Sequence, residues 1–129
     1  MKIIKDNNLP IITTNCQVTP ELKSFLTGVQ GDIQDFIESD NSPLGSLSAE
    51  LHTIAYHLGE ESGTITIIFD ITKCPYDDLE GINRAASEAC TTEYDSLPWV
   101  LYNTFEFLPD DYKYIVTPQS LIFTASYVF

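Results

Sequence analysis

The chain has 129 residues, 43% of them hydrophobic and 19% charged, which is enough apolar material to bury one core and argues against global disorder. Six Lys and Arg stand against nineteen Asp and Glu, a formal net charge of −13. That balance excludes direct nucleic-acid binding by phosphate neutralisation and a polybasic membrane anchor, since both need a cationic face.

The first ten residues, MKIIKDNNLP, lack the apolar run of roughly 7–15 residues that a secretory signal requires. No window approaches the roughly 18–20 apolar residues of a membrane span. Cys16, Cys74 and Cys90 are widely separated and show no metal-ligand spacing, so they read as reduced thiols in a cytoplasmic protein. Loop signals at Asn7–Pro10, Ser39–Ser46, Gly59–Gly63 and Leu108–Tyr112 are too short for interdomain linkers, and one domain over residues 1–129 is expected.

In chain order, Ile3-Ile4 or Ile11–Thr14 supplies a first strand. A helix is predicted over Pro20–Glu38, with Thr19 as N-cap, Pro20 in the first turn and Glu21 complementing the helix dipole. Its apolar residues Leu22, Phe25, Leu26, Val29, Ile33, Phe36 and Ile37 form a stripe of helical period, with Gly28 and Gly31 off it. Ala49–Leu58 fits either a helix or a strand. The five-residue, glycine-bounded connection to Thr64–Thr72, a β-branched and aromatic run, favours a hairpin of two strands, with His52, Ile54, Tyr56 and Leu58 on one face. A second helix is predicted over Asp77–Thr91, capped by Asp77 or Asp78, with Leu79, Ile82, Ala86 and Ala89 on one side. Trp99–Leu108 reads as a strand interrupted by Asn103, and the alternating tail Leu121–Phe129 as another. The expected fold is α+β: two helices packed on one face of a mainly antiparallel sheet, in the ferredoxin-like order β-α-β-β-α-β with an extra C-terminal strand. Such a topology hosts many functions and names none.

Catalytic chemistry has little to stand on. His52 and His57 fall on opposite faces of a strand and form no metal pair. Cys74 follows a strand, but neighbouring Asp77 and Asp78 disfavour its thiolate. Phosphate-binding glycine loops and nucleophile-elbow motifs are absent, so the chain is read as a non-enzyme without cofactor or metal.

Charge distribution is the informative signal. Between Ser24 and Thr72 lie eight acids and no Lys or Arg; between Cys74 and Tyr112 nine acids face Arg84 alone. Most carboxylates therefore lack an intramolecular cation, and their repulsion opposes compaction. Tyrosines recur beside them: Tyr76 before Asp77, Asp78 and Glu80; Tyr94 between Glu93 and Asp95; Tyr112 after Asp110 and Asp111. Tyr buries a large area yet keeps a polar end, which suits an anchor inside an acidic rim; a partly exposed lid over the core is the competing reading. With Glu60 and Glu61 of the hairpin turn, these residues make up the expected partner-binding set.

In length, acidity and lack of catalytic motifs the chain resembles immunity proteins, small inhibitors that occlude a cognate toxin such as a nuclease. The resemblance covers no motif. It implies a basic protein partner met by electrostatic and steric complementarity. Two other readings stand beside it. One is a DNA mimic acting on a DNA-binding enzyme, with Asp32, Asp35 and Glu38 as its row of charges; the other is a non-catalytic regulatory subunit. Reversing Asp77/Asp78 or Asp110/Asp111 to Lys is expected to slow association and leave folding intact.

Overall fold

A computed structural model describes residues 10–91 and 96–128, together with the backbone of the strand Lys2–Lys5. The elements run β1 (Lys2–Lys5), β2 (Ile11–Thr14), α1 (Pro20–Glu38), α2 (Pro43–Ser46), β3 (Glu50–Leu58), β4 (Ser62–Asp70), α3 (Leu79–Thr91), α4 (Leu97–Phe105), β5 (Asp111–Val116) and β6 (Ser120–Val128). The molecule is a mixed α+β structure, and its sheet is mostly antiparallel.

Local chemistry accounts for the first helix. The Thr19 hydroxyl accepts from the Leu22 amide at 3.1 Å, and Pro20 opens the first turn without needing a backbone donor. Leu26, Val29, Ile33 and Phe36 are buried from it, while Gly28 and Gly31 face open space. At the C-terminus the Ser39 hydroxyl donates to the Phe36 carbonyl at 2.7 Å and satisfies one orphan acceptor.

The six strands lie in the order β1-β2-β3-β4-β6-β5. β2 and β3, joined through α1, are direct parallel neighbours, and every other pairing is antiparallel. This differs from the split β-α-β interleaving of a ferredoxin-like sheet. A second departure lies in residues 97–108. Trp99–Leu108 is expected as a strand, but Leu97–Phe105 is helical; Leu97, Val100 and Leu101 are buried at offsets 0, 3 and 4, with Pro98 buried in the first turn. Aromatic and β-branched residues favour strands locally, but packing of this segment against α1 overrides that preference. The strand that follows the helices is instead Asp111–Val116, which begins in the expected turn and forms the sheet edge, with β6 between it and β4.

One face of the sheet is core. Ile65, Ile67 and Phe69 of β4 and Leu121, Phe123, Ala125 and Tyr127 of β6 share a single buried cluster with residues of all four helices. The alternate residues, Thr64, Thr66, Ile68, Ile122, Thr124 and Ser126, are half-buried on the opposite face. β3 departs from strict alternation because its register against β4 shifts between Leu51 and Thr53. His52 occupies that bulge, and Leu51, Ile54 and Tyr56 become the core-side residues. The bulge also corrects the expected placement of the histidines. His57 pairs with Thr64, and His52 lines a cavity with Ile68 and Asp70, so both belong to the outer face, about 16 Å apart along the strand. Among the described residues no helix is long and apolar enough to cross a membrane.

Candidate functional site

Register decides which expected residues meet. β4 begins at Ser62, paired with Val128, and ends at Asp70, paired with both Glu50 and Ser120. The β3–β4 turn therefore sits at one end of the sheet and the β4–α3 loop at the other, about 26 Å away. Glu60 and Glu61 belong to the first, the hairpin end. Asp110 joins them there, because its Oδ2 accepts from the Val128 amide at 2.6 Å. Tyr76, Asp77, Asp78 and Glu80 belong to the second, the pocket end. The expected partner-binding set is thus two clusters rather than one. Glu93, Tyr94 and Asp95 lie outside the described residues.

At the hairpin end, Glu60 and Glu61 are exposed on a turn closed by the Gly59 amide bonding the Ser62 carbonyl at 2.7 Å. Beside them an aromatic cluster closes the core. Phe105 stacks on Tyr127 with centroids 4.4 Å apart, and Phe25 and Phe107 meet Phe105 edge-on. Tyr127 is fully buried, and its hydroxyl has no hydrogen-bond partner among the described residues; burial, then the nearby Asp110 carboxylate, raise its pKa. Phe107, Leu108 and Leu58 expose 41–45% of their surface around this cluster. Sequence reading missed this apolar patch because Phe107 and Leu108 were assigned to a strand. Tyr112 is better described as a lid: it pairs with Ala125 on the core side, and its ring lies 6.0 Å from that of Phe123.

Several carboxylates already have work inside the fold. Asp78 Oδ1 accepts from the Gly81 amide at 3.3 Å and so caps the start of α3. Asp111 Oδ1 accepts from the Tyr112 amide, and Asp110 holds the end of β6. The Thr104 hydroxyl donates to Asp32 at 2.7 Å, which ties α4 to α1 and removes one member from the expected row of phosphate-like charges. Among the described residues two ion pairs form, Lys73–Glu50 at 2.6 Å and Arg84–Glu80 at 3.5 Å, both exposed. Glu60, Glu61 and Asp77 have no such engagement among the described residues.

Two concavities lie at or near the pocket end. One, of about 250 Å³, opens on the outer face and is lined by His52, Ile68, Asp70, Thr72, Gln119 and Ser120. His52 Nδ1 is 2.6 Å from the Thr53 hydroxyl. The Asp70 carboxylate accepts from the Thr72 amide at 2.8 Å, and that bond is the main reason its pKa lies below the usual aspartate value. The bulge at His52 is what brings these residues together, and no regular pattern in the sequence announces it.

The second cavity, of about 300 Å³, lies between the β4–α3 loop and the β5–β6 turn. Ile71, Leu79, Ile82 and Pro118 give it apolar walls, and Tyr76, Asp77, Thr72 and Cys74 supply its polar atoms. Tyr76 and Leu79 are 40% and 52% exposed. Two of the expected anchor and rim residues, Tyr76 and Asp77, therefore do converge on a concave site.

No protein-family model matches this chain, and no curated protein matches it. Two solved structures of the catalytic domain of histidine kinase ThkA, both nucleotide-free, are similar to it. One shows 13% identity and a TM-score of 0.37 over 91% of this chain and 75% of that one. The other shows 12% identity and a TM-score of 0.38 over 91% and 76%. A likeness of that degree carries no argument about activity.

Proposed function

We propose that the protein is a small acidic inhibitor of the immunity type, which docks on a basic toxin such as a nuclease and occludes its cationic cleft. One observation carries the reading: Glu60, Glu61 and Asp77, carboxylates that pair with no cation among the described residues, stand beside exposed aromatic and aliphatic side chains. Unpaired charge around an apolar centre is the composition of a docking surface, with the charge accelerating encounter and the apolar area holding the complex. An internal role for the charge is weak, since its self-repulsion only opposes compaction.

The test is co-expression with the product of the neighbouring reading frame, because antidotes are often encoded beside their targets. Rescue of growth, with a salt-sensitive association rate between the two purified proteins, supports the proposal. Absence of rescue, together with no binding to basic nucleases at low ionic strength, overturns it. Inhibition of several unrelated DNA-binding enzymes overturns it too, in favour of DNA mimicry.

A further inference from the structure

We infer that the cavity between the β4–α3 loop and the β5–β6 turn is a receptor for a single arginine side chain. The inference rests on the docking reading above for the source of that arginine, a basic partner protein, and deepens it by naming the contact.

Size is the first argument. A cavity of about 300 Å³ is at the bottom of the range that small-molecule and cofactor sites occupy, so it suits one side chain better than a free cofactor. Its walls are the second. Ile71, Leu79, Ile82 and Pro118 offer apolar surface to an aliphatic stem, and a charged tip can remain at the mouth. The third is charge: Asp77 is exposed and has no partner among the described residues, and Lys73, which stands in sequence between the lining residues Thr72 and Cys74, is engaged by Glu50. Thr72 adds a second acceptor.

Arginine is favoured over lysine because Tyr76 offers an aromatic ring. A planar guanidinium stacks on such a ring while its N–H groups reach a carboxylate; an ammonium makes only point contacts. The ring also lies against α3. A Cβ on Gly81 would stand 3.1 Å from Tyr76 Cδ1 and 2.9 Å from Asp78 Oδ1, so glycine is what lets the ring and the capping carboxylate both rest on the first turn of α3. The outer-face cavity is less suited, because its carboxylate, Asp70, is already committed to the Thr72 amide.

Cys74 provides a reporter, since it is half-buried and lines the cavity. In a Cys16→Ser background it is the reactive thiol, because Cys90 is fully buried and burial pushes its pKa to about 12. Iodoacetamide labelling of Cys74 is followed with and without millimolar acetyl-arginine amide, with acetyl-citrulline amide as the uncharged control. The expected result is a several-fold slowing by the arginine probe alone, lost in Asp77→Asn and in Tyr76→Ala. The sign is diagnostic: a nearby cation acting through charge would promote the thiolate and speed labelling, so slowing reports occlusion.

Tyr76 ring resonances should shift with arginine and not with citrulline, a readout independent of thiol reactivity. Equal responses to the two probes, or full protection retained in Asp77→Asn, overturn the inference. The two claims fail separately. A cognate toxin whose binding ignores Asp77 and Tyr76 sinks the arginine receptor alone, whereas arginine protection without any basic partner sinks the inhibitor reading alone.

Discussion

The two ends of the sheet carry similar residues to different purposes. At the hairpin end, aromatic rings close the core, and Asp110 and Asp111 accept from backbone amides. At the pocket end, Tyr76 is 40% exposed on the rim of a cavity, and Asp77 has no partner among the described residues, although Asp78 beside it caps α3. An acid-plus-tyrosine pair in the sequence is therefore not one kind of object. What separates the two is whether a backbone N–H with no other acceptor lies within reach, since satisfying it contributes to the fold.

The largest contrast is expected from truncating one aromatic at each end. Phe105→Ala removes the ring stacked on Tyr127 and packed edge-on by Phe25, and should cost about 3 kcal/mol. Tyr76→Ala should cost about 0.5 kcal/mol, because its ring lines a cavity mouth and fills no core volume. Urea midpoints at unchanged m-value measure both. Equal losses would mean that the pocket end is as much a part of the core as the hairpin end.

Much of this was readable in advance, and the failures have identifiable causes. α1 was legible to the residue, because cap, proline and apolar stripe all agree. β4 and β6 were legible because alternation faces a single core. β3 was assigned correctly through its turn, but its histidines were misplaced, since a bulge leaves no mark in the pattern. α4 was misread because Trp99, Leu101, Phe105 and Phe107 alternate; the offsets of Leu97, Val100 and Leu101 were the available counter-signal. For the site, residue types were readable but their grouping was not. Tyr76 and Tyr112 look alike in sequence, and only register shows that one rims a cavity and the other covers Phe123.

The acids extend the comparison at smaller magnitude. Asp110→Ala should cost about 1–2 kcal/mol through loss of the bond to the Val128 amide, and Asp78→Ala about 1 kcal/mol through loss of the α3 cap. Asp77→Ala should stay within about 0.5 kcal/mol of the parent. Charge reversal at Asp78, Asp110 or Asp111 thus mixes binding with stability, and Asp77 is the position where an association rate can be read alone. If Asp77→Ala unfolds the chain as readily as Asp110→Ala does, the division into structural and available carboxylates is wrong.

Glu60 and Glu61 sharpen the comparison from the other side. With no cation paired to them among the described residues of a chain of net charge −13, they contribute repulsion and no bond. The Glu60→Gln/Glu61→Gln double variant should gain about 0.5 kcal/mol at low ionic strength, and the gain should vanish in high salt, where repulsion between exposed charges is screened. A salt-independent change would point to a local backbone role for these side chains instead.

Asp70 supplies the smallest effect and the one with a defined sign. Its pKa is lowered chiefly because the folded state presents the Thr72 amide to its carboxylate, a bond that the unfolded chain lacks. The folded form therefore holds the ionised carboxylate more tightly than the unfolded form does. That increment is complete above the ordinary aspartate pKa of about 3.9 and is lost as pH falls through the lower folded value. Asp70→Asn should accordingly lower stability at neutral pH and converge with the parent under strong acid. Urea midpoints measured across the acid range test this. Curves that stay parallel down to the lowest pH would mean that the Thr72 amide is equally satisfied by the uncharged side chain, and that the turn leading into the pocket end does not depend on charge.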